Sequence, residues 1–155
     1  MRGLFIDPGG TTGWCIIDYD FDNDAPPVLI LTEQTPGDRF PATLSEILAD
    51  GTMHIDLVVY ERFRIHKGTV GSSAVPVLKQ IGKIEMVCDE YGVPYLNQPP
   101  NNKSFFENRL RNFNMYPTGM EHARDAISHG LYYYMTEYKS RVGKNPSWVL
   151  AILPS

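Results

Sequence analysis

The sequence predicts an α/β domain built on a mixed five-stranded sheet, in which an antiparallel meander precedes parallel strands and helices cover both faces. Three strand-like segments separated by turns occupy residues 3–34. From residue 39 onward, segments with apolar residues at helical spacing alternate with short apolar runs. This order of elements is typical of a sheet in which helices connect parallel strands.

The meander is predicted from the first three strands. A short apolar run from Gly3 ends in an acid at Asp7 and predicts the first strand. The segment Asp-Pro-Gly-Gly-Thr-Thr-Gly over 7–13 is a dense turn signal, so the second strand is predicted over 14–19. A stretch rich in Asp and Pro separates it from a third strand over 28–34.

The later elements are predicted from apolar spacing. An almost continuous apolar run over 55–60 predicts a strand that is covered on both faces, as in a parallel arrangement. The tail after residue 143 is interpreted as either a closing strand or a packed extension. Helices are predicted over 39–50, 75–91 and 120–138, with a weak helix over 103–110 and a short strand over 93–97.

Length and composition predict one compact domain over 1–155. A chain of 155 residues with 43% hydrophobic content can bury one core and is short for two. No apolar run approaches the roughly 18 residues of a membrane helix, and the acid at position 7 interrupts any leader-like segment, so we expect a cytoplasmic protein. Cys15 falls in a predicted strand and Cys88 in a predicted helix, so both are interpreted as packing residues.

The charge is unevenly distributed along the chain. The net charge is -4, and residues 1–61 carry two basic and eleven acidic side chains. Residues 62–111 carry eight basic side chains against four acidic ones. A basic face beside an acidic site is therefore one interpretation, and a solvated surface without a partner explains the same charges equally well.

Three carboxylates occupy positions that suit a shared site. Asp7 and Glu61 each end a predicted strand, where open α/β sheets gather functional residues, and they would meet if their strands were neighbours. On the late helix, His122, Asp125 and His129 share a face at about 100° per residue. Clustered carboxylates repel unless a hard divalent cation accepts their oxygens. Each acid also has a simpler explanation, as a turn residue or a surface charge.

Three blocks of sequence occur in an order that is characteristic of one family. They are Gly-Leu-Phe-Ile-Asp-Pro-Gly from residue 3 with Thr-Gly-Trp at 12–14, Val-Val-Tyr-Glu-Arg-Phe over 58–63, and His-Ala-Arg-Asp-Ala over 122–126. Together they resemble the RuvC-like Holliday junction resolvases of the RNase H-like superfamily. The segment Leu-Lys-Gln-Ile-Gly over 78–82 also resembles the Leu-x-Gln-x-x-Gly helix of that family, although imperfectly. The resemblance implies an RNase H-like fold.

The resemblance also implies an activity and a metal site. It implies a homodimeric endonuclease that cleaves branched DNA by a two-metal mechanism with Mg²⁺ or Mn²⁺ and leaves a 5′-phosphate. Asp7, Glu61 and Asp125 would coordinate metal, and His122 would take the fourth position, with Glu121 as a less suitable substitute. Neither an organic cofactor nor a membrane is expected.

The resemblance further implies a DNA-binding surface. The protein is similar to phage-encoded members, which act on flaps or forks as well as four-way junctions, so the host cytoplasm would be its compartment. Phe63 would wedge or stack at the branch point, or pack in the core. The basic residues expected to approach DNA are Arg62, Arg64, Lys67, Lys79, Lys83 and Lys103.

Other interpretations remain open at this stage. The segment over 7–13 also resembles the phosphate loop of actin-like ATPases and sugar kinases, although those proteins need a second such domain. A catalytically silent DNA-binding member of the RNase H-like fold is a further possibility. Alternating acids from Asp18 to Asp24 suggest a calcium loop, but Asn23 and Leu29 stand where that loop requires Gly and Glu. A solvated acidic turn explains them better.

Overall fold

A single five-stranded sheet forms the centre of the protein. The computed structural model describes residues 1–64, 74–100 and 103–151. The strands lie in the order β3-β2-β1-β4-β5. Their bounds are β1 Arg2–Asp7, β2 Thr11–Asp18, β3 Val28–Pro36, β4 Leu57–Glu61 and β5 Tyr95–Gln98.

The strand pairing confirms the predicted mixed sheet. β1 pairs antiparallel with β2, and β2 pairs antiparallel with β3, so the first three strands form the expected meander. β4 joins the other edge of β1 in parallel, and β5 joins β4 in parallel. The strand that ends at Glu61 is therefore a direct neighbour of the strand that ends at Asp7.

Helices cover both faces of the sheet, as predicted. Alternation along β1 sends Phe5 to one face and Ile6 to the other, where they join separate hydrophobic clusters. The Ile6 cluster includes residues of α1 and α2, and the Phe5 cluster includes residues of α3, α4 and α5. The helices are α1 Phe40–Ala49, α2 Ala74–Tyr91, α3 Lys103–Glu107, α4 Glu121–Val142 and α5 Ser147–Leu150.

The predicted helices and strands are confirmed, with differences at their ends. The weak helix predicted over 103–110 is the short α3, followed by a 3₁₀ turn over Leu110–Phe113. The closing strand considered for the tail is wrong, whereas the packed extension is right. α5 buries Trp148 and Val149 against the Phe5 cluster, and the Trp148 indole Nε1 donates to the Tyr19 hydroxyl at 3.1 Å.

The two cysteines are packing residues, as predicted. Cys15 on β2 and Cys88 on α2 are both buried and unpaired. Burial raises the pKa of the Cys15 thiol, and burial with nearby Asp89 raises the pKa of Cys88 to about 12. In the described part of the chain, no helix combines the length and apolar character needed to span a bilayer.

Candidate active site

The two strand-end carboxylates lie side by side on one face of the sheet. Ile6 on β1 is in register with Tyr60 on β4, so Asp7 and Glu61 occupy the next position on neighbouring parallel strands. Phe5 and Val59, two residues earlier, both belong to the cluster under α4. Because side chains alternate along a strand, Asp7 and Glu61 also face α4.

Helix α4 begins directly above this position. Gly13 on β2 is in register with Asp7, and a Cβ atom added to it would lie 1.9 Å from the carbonyl oxygen of His122. A glycine is therefore needed there for the helix to approach the sheet. On β3, the side-chain oxygen of Gln34 accepts hydrogen bonds from the backbone N–H groups of His122 at 2.8 Å and Ala123 at 3.3 Å. These bonds satisfy donors that the first turn of a helix leaves unpaired.

The first contact between α4 and the carboxylates is made by His122. Its Nδ1 lies 3.0 Å from Oδ2 of Asp7. The His122 side chain is 46% exposed, whereas that of Asp7 is 12% exposed. The Glu121 side chain is 85% exposed and lies 3.8 Å from Arg124. Of the two residues considered for the fourth position, His122 is thus the one that contacts a carboxylate of the sheet.

The second contact is made by His129, two helical turns further along α4. Its Nε2 lies 2.5 Å from Oε2 of Glu61, and its side chain is 2% exposed. The sequence interpretation placed His129 on the same helix face as His122 but gave it no role. The available signal was its spacing of seven residues from His122, which returns a helical side chain to the same face.

Asp125 lies between the two histidines on α4. It follows His122 by three residues and precedes His129 by four, so it shares their side of the helix. Its side chain is partly buried. The fold therefore brings the ends of β1 and β4 beside α4, where Asp7 contacts His122, Glu61 contacts His129, and Asp125 shares the side of the helix that carries both histidines.

The chemistry of these donors suits a hard divalent cation. Carboxylate oxygens are the ligands that Mg²⁺ and Mn²⁺ prefer, and imidazole nitrogen is a ligand for transition metals, the class to which Mn²⁺ belongs. Gln98 on β5 is in register with Glu61, and its buried Oε1 atom has no hydrogen-bond partner among the described residues. A cation, or water bound to one, would satisfy this oxygen. Within 1–64, 74–100 and 103–151, no three His, Cys, Asp or Glu residues are grouped so that they could hold a metal ion.

Polar groups at the turn between β1 and β2 are engaged in hydrogen bonds within the fold. The Thr12 hydroxyl is fully buried, donates to the carbonyl of Gly9 at 3.2 Å, and accepts from Nε2 of Gln80 at 2.5 Å. The same Gln80 nitrogen donates to the carbonyl of Gly37 at 3.0 Å. Thr12 is therefore not available to a nucleotide phosphate, which argues against the ATPase alternative.

The predicted DNA-binding residues fall in three places. Arg62 and Arg64 are exposed just after β4, and Nε of Arg62 donates to the side-chain oxygen of Asn97 at 2.9 Å. Phe63 between them is half-buried. Lys79 and Lys83 are exposed on α2, which covers the opposite face of the sheet from α4, and both line a cavity of about 360 Å³ beside the β1–β2 turn. Lys67 lies outside the described residues, and Lys103 is the first residue of α3.

The acidic segment that resembles a calcium loop is a hydrogen-bonded turn. The Asp20 carboxylate accepts a hydrogen bond from the backbone N–H of Asp22 at 3.0 Å. The Asp24 carboxylate accepts from the backbone N–H of Ser147 at 3.0 Å, at the start of α5. These contacts explain the acids as turn and helix-start residues, in agreement with the sequence interpretation.

Comparison with solved structures defines the class of fold. RuvC of Thermus thermophilus in complex with a Holliday junction matches with a TM-score of 0.72 and 18% identity, over 94% of this chain and 99% of that chain. A second structure of RuvC from Thermus thermophilus matches with a TM-score of 0.70 and 16% identity, over 94% of this chain and 99% of that chain. The yeast mitochondrial Holliday junction resolvase Ydc2 matches with a TM-score of 0.56 and 12% identity, over 98% and 84%.

These matches show an RNase H-like fold of the RuvC type. They confirm the predicted architecture over nearly the whole chain. No protein-family model and no curated protein matches the sequence. At such low identity, the activity of this chain has to be argued from its own site.

Proposed function

We propose that this protein is a divalent-metal-dependent endonuclease that cleaves phosphodiester bonds in branched DNA. One observation carries the proposal: Asp7 and Glu61 end neighbouring parallel strands, face α4 together, and each contacts a histidine of that helix. The RuvC-type fold supports it, because one solved protein with this fold is RuvC in complex with a Holliday junction substrate and another is the yeast mitochondrial Holliday junction resolvase Ydc2.

Asp7, Glu61, Asp125 and His122 are the residues that would hold the metal. When bound, one or two Mg²⁺ or Mn²⁺ ions would lower the pKa of a coordinated water and neutralise charge at the phosphate. In the described rotamers the Asp7 and Glu61 carboxylates are each in contact with an imidazole. Because no three of them are grouped to hold a cation in the described part of the chain, ligation by three or more requires a rotamer change, for which the half-exposed His122 has room and the buried His129–Glu61 pair does not.

The residues themselves supply position and acid–base chemistry. In the proposed hydrolysis, a water oxygen attacks phosphorus, the bond from phosphorus to the 3′ oxygen breaks, and the 3′ oxygen takes up a proton. The products are a 5′-phosphate and a 3′-hydroxyl. His122 has two mutually exclusive roles in this scheme: it takes the fourth metal position, or it keeps its Nδ1 on Asp7 and exchanges a proton with solvent at Nε2, which its 46% exposure permits.

DNA is the proposed substrate because basic side chains of the chain favour it, and branched DNA because a solved protein with this fold is in complex with a Holliday junction. Exposed Arg62 and Arg64 directly follow the strand that carries Glu61, so basic side chains border the acidic site. Four-way junctions have two symmetric strands to cut, and a homodimer would place one site at each. Flaps and forks are further substrates under this proposal, and they need only one cut.

The direct test is cleavage of labelled four-way junction, flap, duplex and single-stranded DNA, with and without Mg²⁺ or Mn²⁺. We expect metal-dependent nicking of the branched substrates and little cleavage of duplex. Asp7→Asn and Asp125→Asn should each reduce the rate by at least about 10³-fold, because a neutral amide oxygen binds a hard divalent cation much more weakly than a carboxylate and contributes no charge to balance it.

Circular dichroism and thermal unfolding provide the folding control for both variants. A further control is His54→Asn, which changes an exposed histidine outside the proposed site and should cleave at the wild-type rate. Cleavage that persists in a folded Asp7→Asn variant, or that proceeds equally well in EDTA, would refute the proposed function.

A further inference from the structure

We propose that His129 is a positioning residue that holds the Glu61 carboxylate in the orientation required for metal binding. The inference rests on the proposed function, since it concerns the same site. It adds a residue that does not itself contact metal or DNA. His129 acts only through Glu61.

The contact is short and deeply buried. Nε2 of His129 lies 2.5 Å from Oε2 of Glu61, with the histidine 2% exposed and the Glu61 side chain 17% exposed. Away from water, a hydrogen bond to a carboxylate competes with few alternatives and restricts the rotamer of the acid strongly. The Glu61 side chain has three torsion angles and therefore many rotamers. A contact from another element is the means by which the fold selects one rotamer.

The second ring nitrogen defines how His129 makes this contact. Nδ1 is buried and has no hydrogen-bond partner in the described structure. Burying a ring N–H without a partner costs more free energy than burying a ring nitrogen lone pair without one. The proton is therefore assigned to Nε2, which donates to Glu61. The Nε2–H donor therefore orients the Glu61 carboxylate, as hydrogen-bonded partners of metal ligands commonly do.

Close packing fixes the histidine in turn. The next residue along α4 is Gly130, where an added Cβ would lie 2.7 Å from Cδ1 of Ile17 and 2.8 Å from Cδ2 of Phe5. The helix therefore lies directly on the sheet at this point, and the His129 ring has little room to rotate. His122 differs, because it is half-exposed at the first turn of α4 and can change partner.

The test compares substitutions that differ in one hydrogen-bond donor. His129→Gln retains a side-chain N–H that can reach Glu61, whereas His129→Met has similar length without a donor, and His129→Leu is a second donor-free variant. Mn²⁺ affinity is measured from the electron paramagnetic resonance signal of free Mn²⁺ during titration, which does not depend on cleavage. Thermal unfolding of each variant is measured in parallel, and His54→Asn is the matched control.

We expect the donor-free variants to bind Mn²⁺ roughly 10- to 100-fold more weakly than wild type, as is usual for loss of a hydrogen bond to a ligand. His129→Gln should restore most of the affinity, and His54→Asn should match wild type. A merely structural histidine would lower the unfolding temperature of all three His129 variants and leave their Mn²⁺ affinity unchanged.

Two results would overturn the inference. Equal Mn²⁺ affinity in wild type and in either folded donor-free variant would show that His129 does not position Glu61. If neither wild type nor Glu61→Gln binds Mn²⁺, the metal site itself is refuted, and the proposed function with it. A third pattern separates these two results: Mn²⁺ binds wild type and folded His129→Met equally well but does not bind Glu61→Gln. In that case the positioning role of His129 is wrong and the metal site stands.

Discussion

At the scale of single residues, each carboxylate of the site has its own histidine. Asp7 contacts the half-exposed His122, and Glu61 contacts the buried His129. Two neighbouring carboxylates would otherwise repel each other, and contact with an imidazole reduces that cost in the absence of a cation. The pairing explains how acids can be kept at this edge of the sheet in a stable protein.

The hydroxyl of Tyr134 on α4 links the antiparallel strands β1 and β2 outside the site. This fully buried hydroxyl accepts from the backbone N–H of Gly3 at 3.0 Å and donates to the carbonyl of Ile17 at 2.7 Å. Tyr134→Phe leaves these buried groups without that partner, so we expect a loss of about 1–3 kcal/mol in the free energy of unfolding by urea. Tyr132→Phe, a half-buried position on the same helix, is the control. A change below about 0.5 kcal/mol at Tyr134 would contradict this role.

At the scale of secondary structure, the docking of α4 on the sheet builds the site. Gly13 lets the helix start approach β2, and Gln34 pairs with its first N–H groups. The same turn carries His122, so these two sheet residues help determine where the histidine meets Asp7. The geometry of the site thus depends on Gly13 and Gln34, which have no part in the proposed reaction.

Gly13→Ala should disable the site through this contact. The new Cβ would lie 1.9 Å from the carbonyl oxygen of His122, and backbone atoms cannot avoid it by a rotamer change. We expect α4 to shift and cleavage to fall by at least about 10²-fold, since a displacement of about 1 Å has that effect on catalytic geometry. Gly10→Ala in the adjoining turn is the matched control, because an added Cβ there has no neighbour within 4 Å. Equal activity of the two variants would show that the close approach is unimportant.

The basic segment after β4 should govern the salt dependence of DNA binding. If exposed Arg62 and Arg64 contact phosphates, replacing both with Gln should reduce the slope of log affinity against log salt by about two, one for each lost contact. Lys139 and Lys144, exposed at the far end of α4, provide a control double substitution of equal charge. Fluorescence anisotropy with a four-way junction between 50 and 300 mM salt measures the slope. An unchanged slope would place the DNA surface elsewhere.

At the scale of the whole molecule, the sequence predicted the architecture well because its local patterns were consistent. The apolar run that ends at Glu61 indicated a strand covered on both faces, and β4 lies inside the sheet with helices on either side. The tail was harder to predict. Its four-residue helix α5 is stabilised by burial of Trp148 and Val149 rather than by a repeating pattern.

The candidate site was predictable only in part from sequence. Strand-end position identified Asp7 and Glu61, and helical spacing placed His122 beside Asp125. The contact of His129 with Glu61 depends on how α4 packs on the sheet beside the end of β4, which no local pattern encodes. The cap formed by Gln34 depends in the same way on the register of β3. Such contacts arise from tertiary packing between segments far apart in the chain.

The most direct test of the central claim, that the ends of β1 and β4 and the facing turns of α4 form a metal site, is a crystal structure with Mn²⁺ and its anomalous difference map. We predict at least one strong peak in direct coordination with both the Asp7 and the Glu61 carboxylates, and loss of that peak in Asp7→Asn. A map with Mn²⁺ bound elsewhere, for example among the acids of the turn after β2, and none between Asp7 and Glu61 would contradict the account.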